Sequence, residues 1–165
     1  MRALRRRLFS NLRPHTIMKY LLLPLILAMP LVTTQCNRVK SASNSVASAG
    51  DYTLAKNTFE GLTHGDTSVA KNIDWEMLKT PEGDFGAAYM QIPTETEKQT
   101  KQKTFILDFA SNYQKAGAAV YSNWKVSYHD EFKTEVTADA GTARLVLVVT
   151  TRDGKDRLSQ ITVLQ

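Results

Sequence analysis

AAVYSNWKVSYHDEFKTEVTADAGTARLVLVVTTRDGKDRLSQITVL, residues 118–164, is the long stretch of the chain dominated by strand-forming residues, with turn signals at regular intervals. Period-2 alternation puts Val120, Trp124, Val126 and Tyr128 on one face of a first strand, and Tyr121, Lys125 and His129 on the other. Asp130-Glu131 reads as a turn or bulge. In a second strand, Phe132, Thr134, Val136 and Ala138 alternate with Lys133, Glu135 and Thr137, and Asp139-Ala140-Gly141 turns the chain. Ala143, Leu145, Leu147 and Val149 then alternate with Arg144, Val146 and Val148. Asp153-Gly154 is a strong two-residue hairpin signal leading to Leu158, Ile161, Val163 and Leu164. A regular register from that turn sets Val149 opposite Leu158 and Val146 opposite Ile161, so apolar groups fall on both faces. Upstream helices cover one face. A homodimer through the back of the sheet is the expected cover for the other, since each Å² of apolar surface left wet forfeits about 25 cal/mol.

Upstream, the period changes to that of a helix. From Asp51, Leu54, Ala55, Phe59 and Leu62 recur on one face, and His64-Gly65 ends the element. Asp66 or Thr67 is placed to cap a second helix with a stripe of Val69, Ala70, Ile73, Met77 and Leu78, with Trp75 beside it. Thr80-Pro81-Glu82-Gly83-Asp84 breaks the pattern, and the segment from Phe85 to Pro93 reads as a short strand or a flap. Thr94 and Glu97 have capping-box spacing, and Glu97 stands four residues before Lys101. A third helix is expected to run from there to about Lys115, with Phe105, Ile106, Phe109, Ala110 and Tyr113 as its apolar face and Gly117 as its stop.

Three N-terminal helices followed by a meander of about four strands predict an α+β domain over residues 51–165. The order of DYTLAKNTFEGL (51–62), KTFILDFASNYQKAG (103–117) and the strand block resembles the NTF2-like (cystatin-like) superfamily. The resemblance implies a strongly curved antiparallel sheet wrapped round a long helix as a cone. It also implies the range of that superfamily, from small exported binding domains to isomerases and dehydratases built around an acid or an Asp–His pair inside the cone.

Charge is unevenly distributed. Residues 1–40 hold eight Lys or Arg and no acid; residues 41–165 hold 13 basic and 16 acidic groups. The formal +5 therefore belongs to the leader, and the folded part lacks the basic excess that nucleic-acid binding calls for. Residues 1–36 read as a secretory signal peptide: a basic start, then a 13-residue apolar run from Tyr20 to Val32 containing Pro24 and Pro30. As a helix that run is about 20 Å long, short of the roughly 30 Å bilayer core. Starting at Met18-Lys19 gives a more compact leader. Cys36, the single cysteine, excludes an internal disulfide. Its place directly after the apolar run resembles the processing site of bacterial lipoproteins, which implies lipidation and membrane attachment. Gln35 and Thr33 stand where that pattern has a small residue and Leu. The competing cleavage follows Ala49, in Ala47-Ser48-Ala49, and releases a secreted form. Residues 37–50, NRVKSASNSVASAG, are too poor in bulky apolar groups to offset backbone ordering and read as a flexible tether. The domain is thus expected in the periplasm or held at the envelope.

Trp75, Tyr89, Tyr113, Trp124 and Tyr128 are candidates to line the open end between sheet and helices as a pocket for a small apolar ligand, or to fill it as core. Asp108 interrupts the apolar run FILDFA, and with His129 it is a candidate general base. His129 and Asp130 are neighbours on a strand and point apart, so His129 needs a bulge, or a carboxylate from elsewhere, to form a dyad. No paired histidines at zinc spacing, glycine-rich phosphate loop or nucleophile elbow occurs, so neither metal nor cofactor is expected. The expectation is a non-enzymatic exported domain that binds a small apolar ligand or a partner protein. The alternatives are an isomerase or dehydratase using Asp108 or His129, and a purely structural envelope protein.

Overall fold

A computed structural model of the chain describes residues 46–165, so Cys36 and the leader lie outside the described residues. The first helix, α1, is helical through residues 46–64, which includes the last five residues read as tether. Asp51, Ala55, Thr58, Phe59 and Leu62 form its buried face, at the spacing that puts one side of a helix against a core. Gly65 takes a left-handed backbone (φ 72°). The Asp66 amide then donates to the Gly61 carbonyl (2.9 Å) and the Gly65 amide to that of Leu62 (3.2 Å), a Schellman closure that only a residue tolerant of positive φ makes cheaply.

The second helix is shorter than its stripe suggested. Asp66 does cap it, accepting from the Ser68 amide at 2.9 Å, but the element is a 3-10 helix confined to Thr67–Asn72. Asn72, β-branched Ile73 and Asp74 are weak helix formers, and a sheet edge is available instead. Ile73 turns extended and bridges Leu158 in parallel, and the Asp74 amide donates to the Leu158 carbonyl at 2.9 Å. Val69, Ile73 and Leu78 reach the core by this route, whereas Met77 is 52 % exposed.

Two minimal strands follow, β1 (Lys79–Thr80) and β2 (Gly83–Asp84), joined through Pro81-Glu82. Next come α2 (Phe85–Tyr89) and α3 (Glu95–Lys115), then β3 (Ser122–His129), β4 (Lys133–Ala140), β5 (Ala143–Arg152) and β6 (Lys155–Leu164). The segment expected to be a strand or flap is α2, because Asp84 caps it by accepting from the Ala87 amide at 3.0 Å. In α3 the Thr94 hydroxyl accepts from the Glu97 amide (3.3 Å) and donates to the Glu97 carboxylate (2.8 Å). Lys98 pairs with Glu95 at 3.2 Å, and Lys101 lies over the Phe85 ring instead of meeting Glu97.

The sheet corrects the NTF2-like expectation. It has six strands in the order β2-β1-β6-β5-β4-β3, with β1 and β6 parallel. It is open and neither closed nor strongly curled, and four helices rather than three accompany it. The physical reason lies at residues 79–84. The break expected at Thr80-Pro81-Glu82-Gly83-Asp84 is itself a small hairpin, and it extends the sheet past β6 instead of leaving that edge free to wrap a helix.

A second correction concerns register. Asp153 (φ 53°) and Gly154 (φ 68°) make the expected turn, and Val149 does face Leu158. Val146, however, faces Thr162, and Ile161 faces Leu147, because the ladder shifts between Val148 and Val149. Ser159 is the extra residue; its hydroxyl donates to the Val148 carbonyl at 3.2 Å. This bulge moves Ile161 and Val163 onto the face that already holds Val136, Leu145, Leu147, Val149 and Leu158. The far face keeps Val146, Val148 and Leu164 among Lys133, Glu135, Thr137, Gln160 and Thr162. The apolar surplus that suggested a sheet-to-sheet homodimer is correspondingly smaller.

Candidate functional site

Four of the five aromatic candidates stand in one continuous set of rings, with Phe59, Phe85, Phe105, Phe109 and Tyr121 joining them. Phe59 on α1 is the hub: its ring centre is 6.1 Å from Phe109, 6.0 Å from Tyr113, 5.6 Å from Tyr121 and 6.1 Å from Trp124. Phe109 lies 6.0 Å from Phe105, and Phe105 lies 5.6 Å from Trp75 and 4.7 Å from Phe85. Tyr89 stacks on Phe85 at 6.1 Å. Edge-on and tilted contacts of this kind each contribute about 0.5–1.5 kcal/mol beyond area burial.

Within the set the roles differ. Trp75 and Tyr89 are core residues, 8 % and 6 % exposed. The Trp75 indole donates to the Ala70 carbonyl at 2.9 Å, and the Tyr89 hydroxyl accepts from Gln102 at 2.6 Å. Tyr113 and Trp124 are half-buried at the other end. The Tyr113 hydroxyl donates to the Ala119 carbonyl, and burial pushes it above the usual tyrosine range. Tyr128 stands apart. A bulge between Val126 and Tyr128 sets Val126 opposite Val136 but Tyr128 opposite Glu135, so the two do not share a face. Tyr128 lies on the far side of the sheet, 46 % exposed, and donates to the Asp130 carboxylate at 2.6 Å.

One concave surface lies over Phe85, Phe105 and Phe109. A groove of about 290 Å³ runs between the β1–β2 hairpin (Thr80, Glu82, Gly83, Asp84) and one stripe of α3 (Lys101, Thr104, Asp108, Asn112), with the three half-buried phenylalanine rings as its floor. The helix contributes residues three, four, seven, eight and eleven positions beyond Lys101, which share a face by the geometry of an α-helix. Asp108 is therefore an exposed rim residue, as a step of three from Phe105 requires. The carboxylates of Asp108 and Glu82 form no hydrogen bond or ion pair among the described residues. Lys101 Nζ is 5.7 Å from the centre of the Phe85 ring. Phe85 and the hairpin carboxylates escaped the sequence reading, because the residues around them read as a break. The available signal was Asp84 as a cap directly before Phe85.

His129 belongs to a different constellation. Its Nδ1 is 2.7 Å from the Thr134 hydroxyl, which is 2.5 Å from Asp51 Oδ2. Asp51 and Thr134 are buried, at 7 % and 1 % exposure. The hydroxyl has one proton and gives it to the carboxylate, so Nδ1 carries the hydrogen that Thr134 accepts, and Nε2 is the ring atom left available. Asp51 Oδ2 is 3.9 Å from Nδ1. The carboxylate near His129 thus comes from α1, while Asp130 turns to the β3–β4 connection and accepts from the amides of Phe132 and Lys133, both at 2.8 Å. The chain Asp51–Thr134–His129 ties α1 to β4 and to the edge strand β3. No group of three or more metal-ligating side chains occurs among the described residues. No family model, curated protein or solved structure matches the chain.

Proposed function

We propose that this chain is an exported, non-enzymatic binding domain, held at the cell envelope through Cys36, that takes an apolar portion of its ligand into the α3 groove. The observation that carries this reading is the groove floor: three phenylalanine rings left half-buried between a helix and a hairpin, in a concavity open to solvent. Apolar lining with a few polar groups at the rim is the usual construction of a binding site. Export and anchoring rest on the basic start, the apolar run and the position of Cys36.

Two measurements test the proposal. Mass spectrometry of the membrane fraction should find an acylated N-terminal Cys36; an unacylated N-terminus at Gly50 would remove the anchor. For the groove, Thr104→Trp fills the concavity from an exposed position without removing a core ring. It should abolish the binding of small aromatic probes while leaving the thermal midpoint within a few degrees. Unchanged probe binding would place the site elsewhere.

The isomerase or dehydratase reading has one supporting observation, the fixed orientation of His129 through Thr134 and Asp51. Such chemistry calls for a substrate pocket against Nε2, and the phenylalanine-floored groove has Asp108, not His129, at its rim.

A further inference from the structure

The rim of the groove specifies more than apolar contact. Glu82, Asp84 and Asp108 line it together with Lys101, the single cation among the described residues of the lining. Asp84 is half-engaged as the cap of α2, whereas Glu82 and Asp108 have no partner among the described residues. The Lys101 ammonium already rests over the Phe85 ring at 5.7 Å, within the range in which a ring face attracts a cation. An aromatic floor under a carboxylate rim is complementary to a positive charge carried on an apolar stem. At about 290 Å³ the groove lies at the lower limit for sites that enclose a small molecule, and its open side leaves a path for flanking backbone. From this charge complementarity and size we infer that the groove receives an arginine or lysine side chain from a basic segment of a partner protein. The inference rests on the groove being the binding site, and adds the charge and the chemical class of what it binds.

The test is fluorescence anisotropy of the full chain with a labelled Gly-Arg-Gly-Arg-Gly-Arg peptide, against the same peptide with citrulline at each arginine. The arginine peptide should bind at least tenfold more tightly. Glu82→Gln with Asp108→Asn should weaken it at least fivefold at an unchanged thermal midpoint, since both residues are exposed. The charge-matched control Glu131→Gln with Asp153→Asn should not weaken it, and Lys101→Met should strengthen it. Equal binding of the two peptides would overturn the cation inference and leave the groove reading intact. Equal loss in the control variant would show diffuse attraction and overturn it too. If neither peptide binds while small aromatic probes still do, the inference fails and the groove stands.

Discussion

Gly86 shows how a backbone contact sets the identity of a residue. A Cβ there would lie 2.2 Å from the Glu76 carbonyl oxygen and 2.6 Å from its carbon, and the Gly86 amide donates to the Leu78 carbonyl at 2.9 Å. Backbone has nowhere to go, so Gly86→Ala is expected to cost about 1–3 kcal/mol, the usual range for overpacking. Gly50→Ala, with nothing within 4 Å, should be neutral or slightly stabilising; urea unfolding of the two variants checks both. Asp130 makes a pH prediction. The Tyr128 hydroxyl, with the Phe132 and Lys133 amides, holds its carboxyl below the usual value of 3.8. Its folded-state value is depressed, so its contribution is present above the unfolded-state value and is lost as pH falls through the folded-state value. Stability should drop as the protein is acidified below about pH 3.8, and Asp130→Asn should flatten part of that drop. An equally steep drop in the variant would assign it to other groups, of which Asp66, lowered by its bond to Ser68, is one.

The elements divide by how local their causes are. α3 was legible because Thr94, Glu97 and the Phe105–Phe109–Tyr113 stripe specify it within its own sequence, and the β5–β6 hairpin was legible because Asp153-Gly154 favours positive φ. The second helix was over-extended because periodicity cannot see Leu158, whose backbone captures Ile73 and Asp74. The Ser159 bulge was invisible for the same kind of reason: a strict two-residue period put Ile161 opposite Val146, and only the need to bury Leu158 and Ile161 together selects the shift. Deleting Ser159 removes the extra residue and leaves Leu158 and Ile161 two positions apart, so a regular strand keeps Ile161, 1 % exposed, on the core face. The deletion variant should therefore keep cooperative unfolding by circular dichroism; its loss would show that Ile161, whose burial contributes about 1.5–3 kcal/mol, had left the core. Ser159→Ala keeps the residue count and should cost only about 1 kcal/mol, the lost hydroxyl bond.

Over the whole molecule, the open six-stranded sheet replaces the cone and moves the candidate site. In a cone, the rings and a base would share one interior. Here the core aromatics fill their space, Tyr128 looks away, Asp108 reaches the surface, and His129 is tied to Asp51 through Thr134. From the sequence, Trp75, Tyr89, Tyr113, Trp124 and Tyr128 read as a pocket wall or as core, and the first four stand in the ring set built on Phe59 of α1 and Phe105 and Phe109 of α3. The groove uses the adjacent Phe85, Phe105 and Phe109 instead, because the hairpin at residues 79–84 builds its second wall. The proposed function requires that ligand bind in that groove. The most direct test is amide shift mapping of the full chain by NMR, titrated with the arginine peptide and with small aromatic probes. Residues 82–85 and 101–112 should shift together while residues 128–135 stay still; shifts centred on 128–135, or none in the groove with either probe, would contradict binding in the groove.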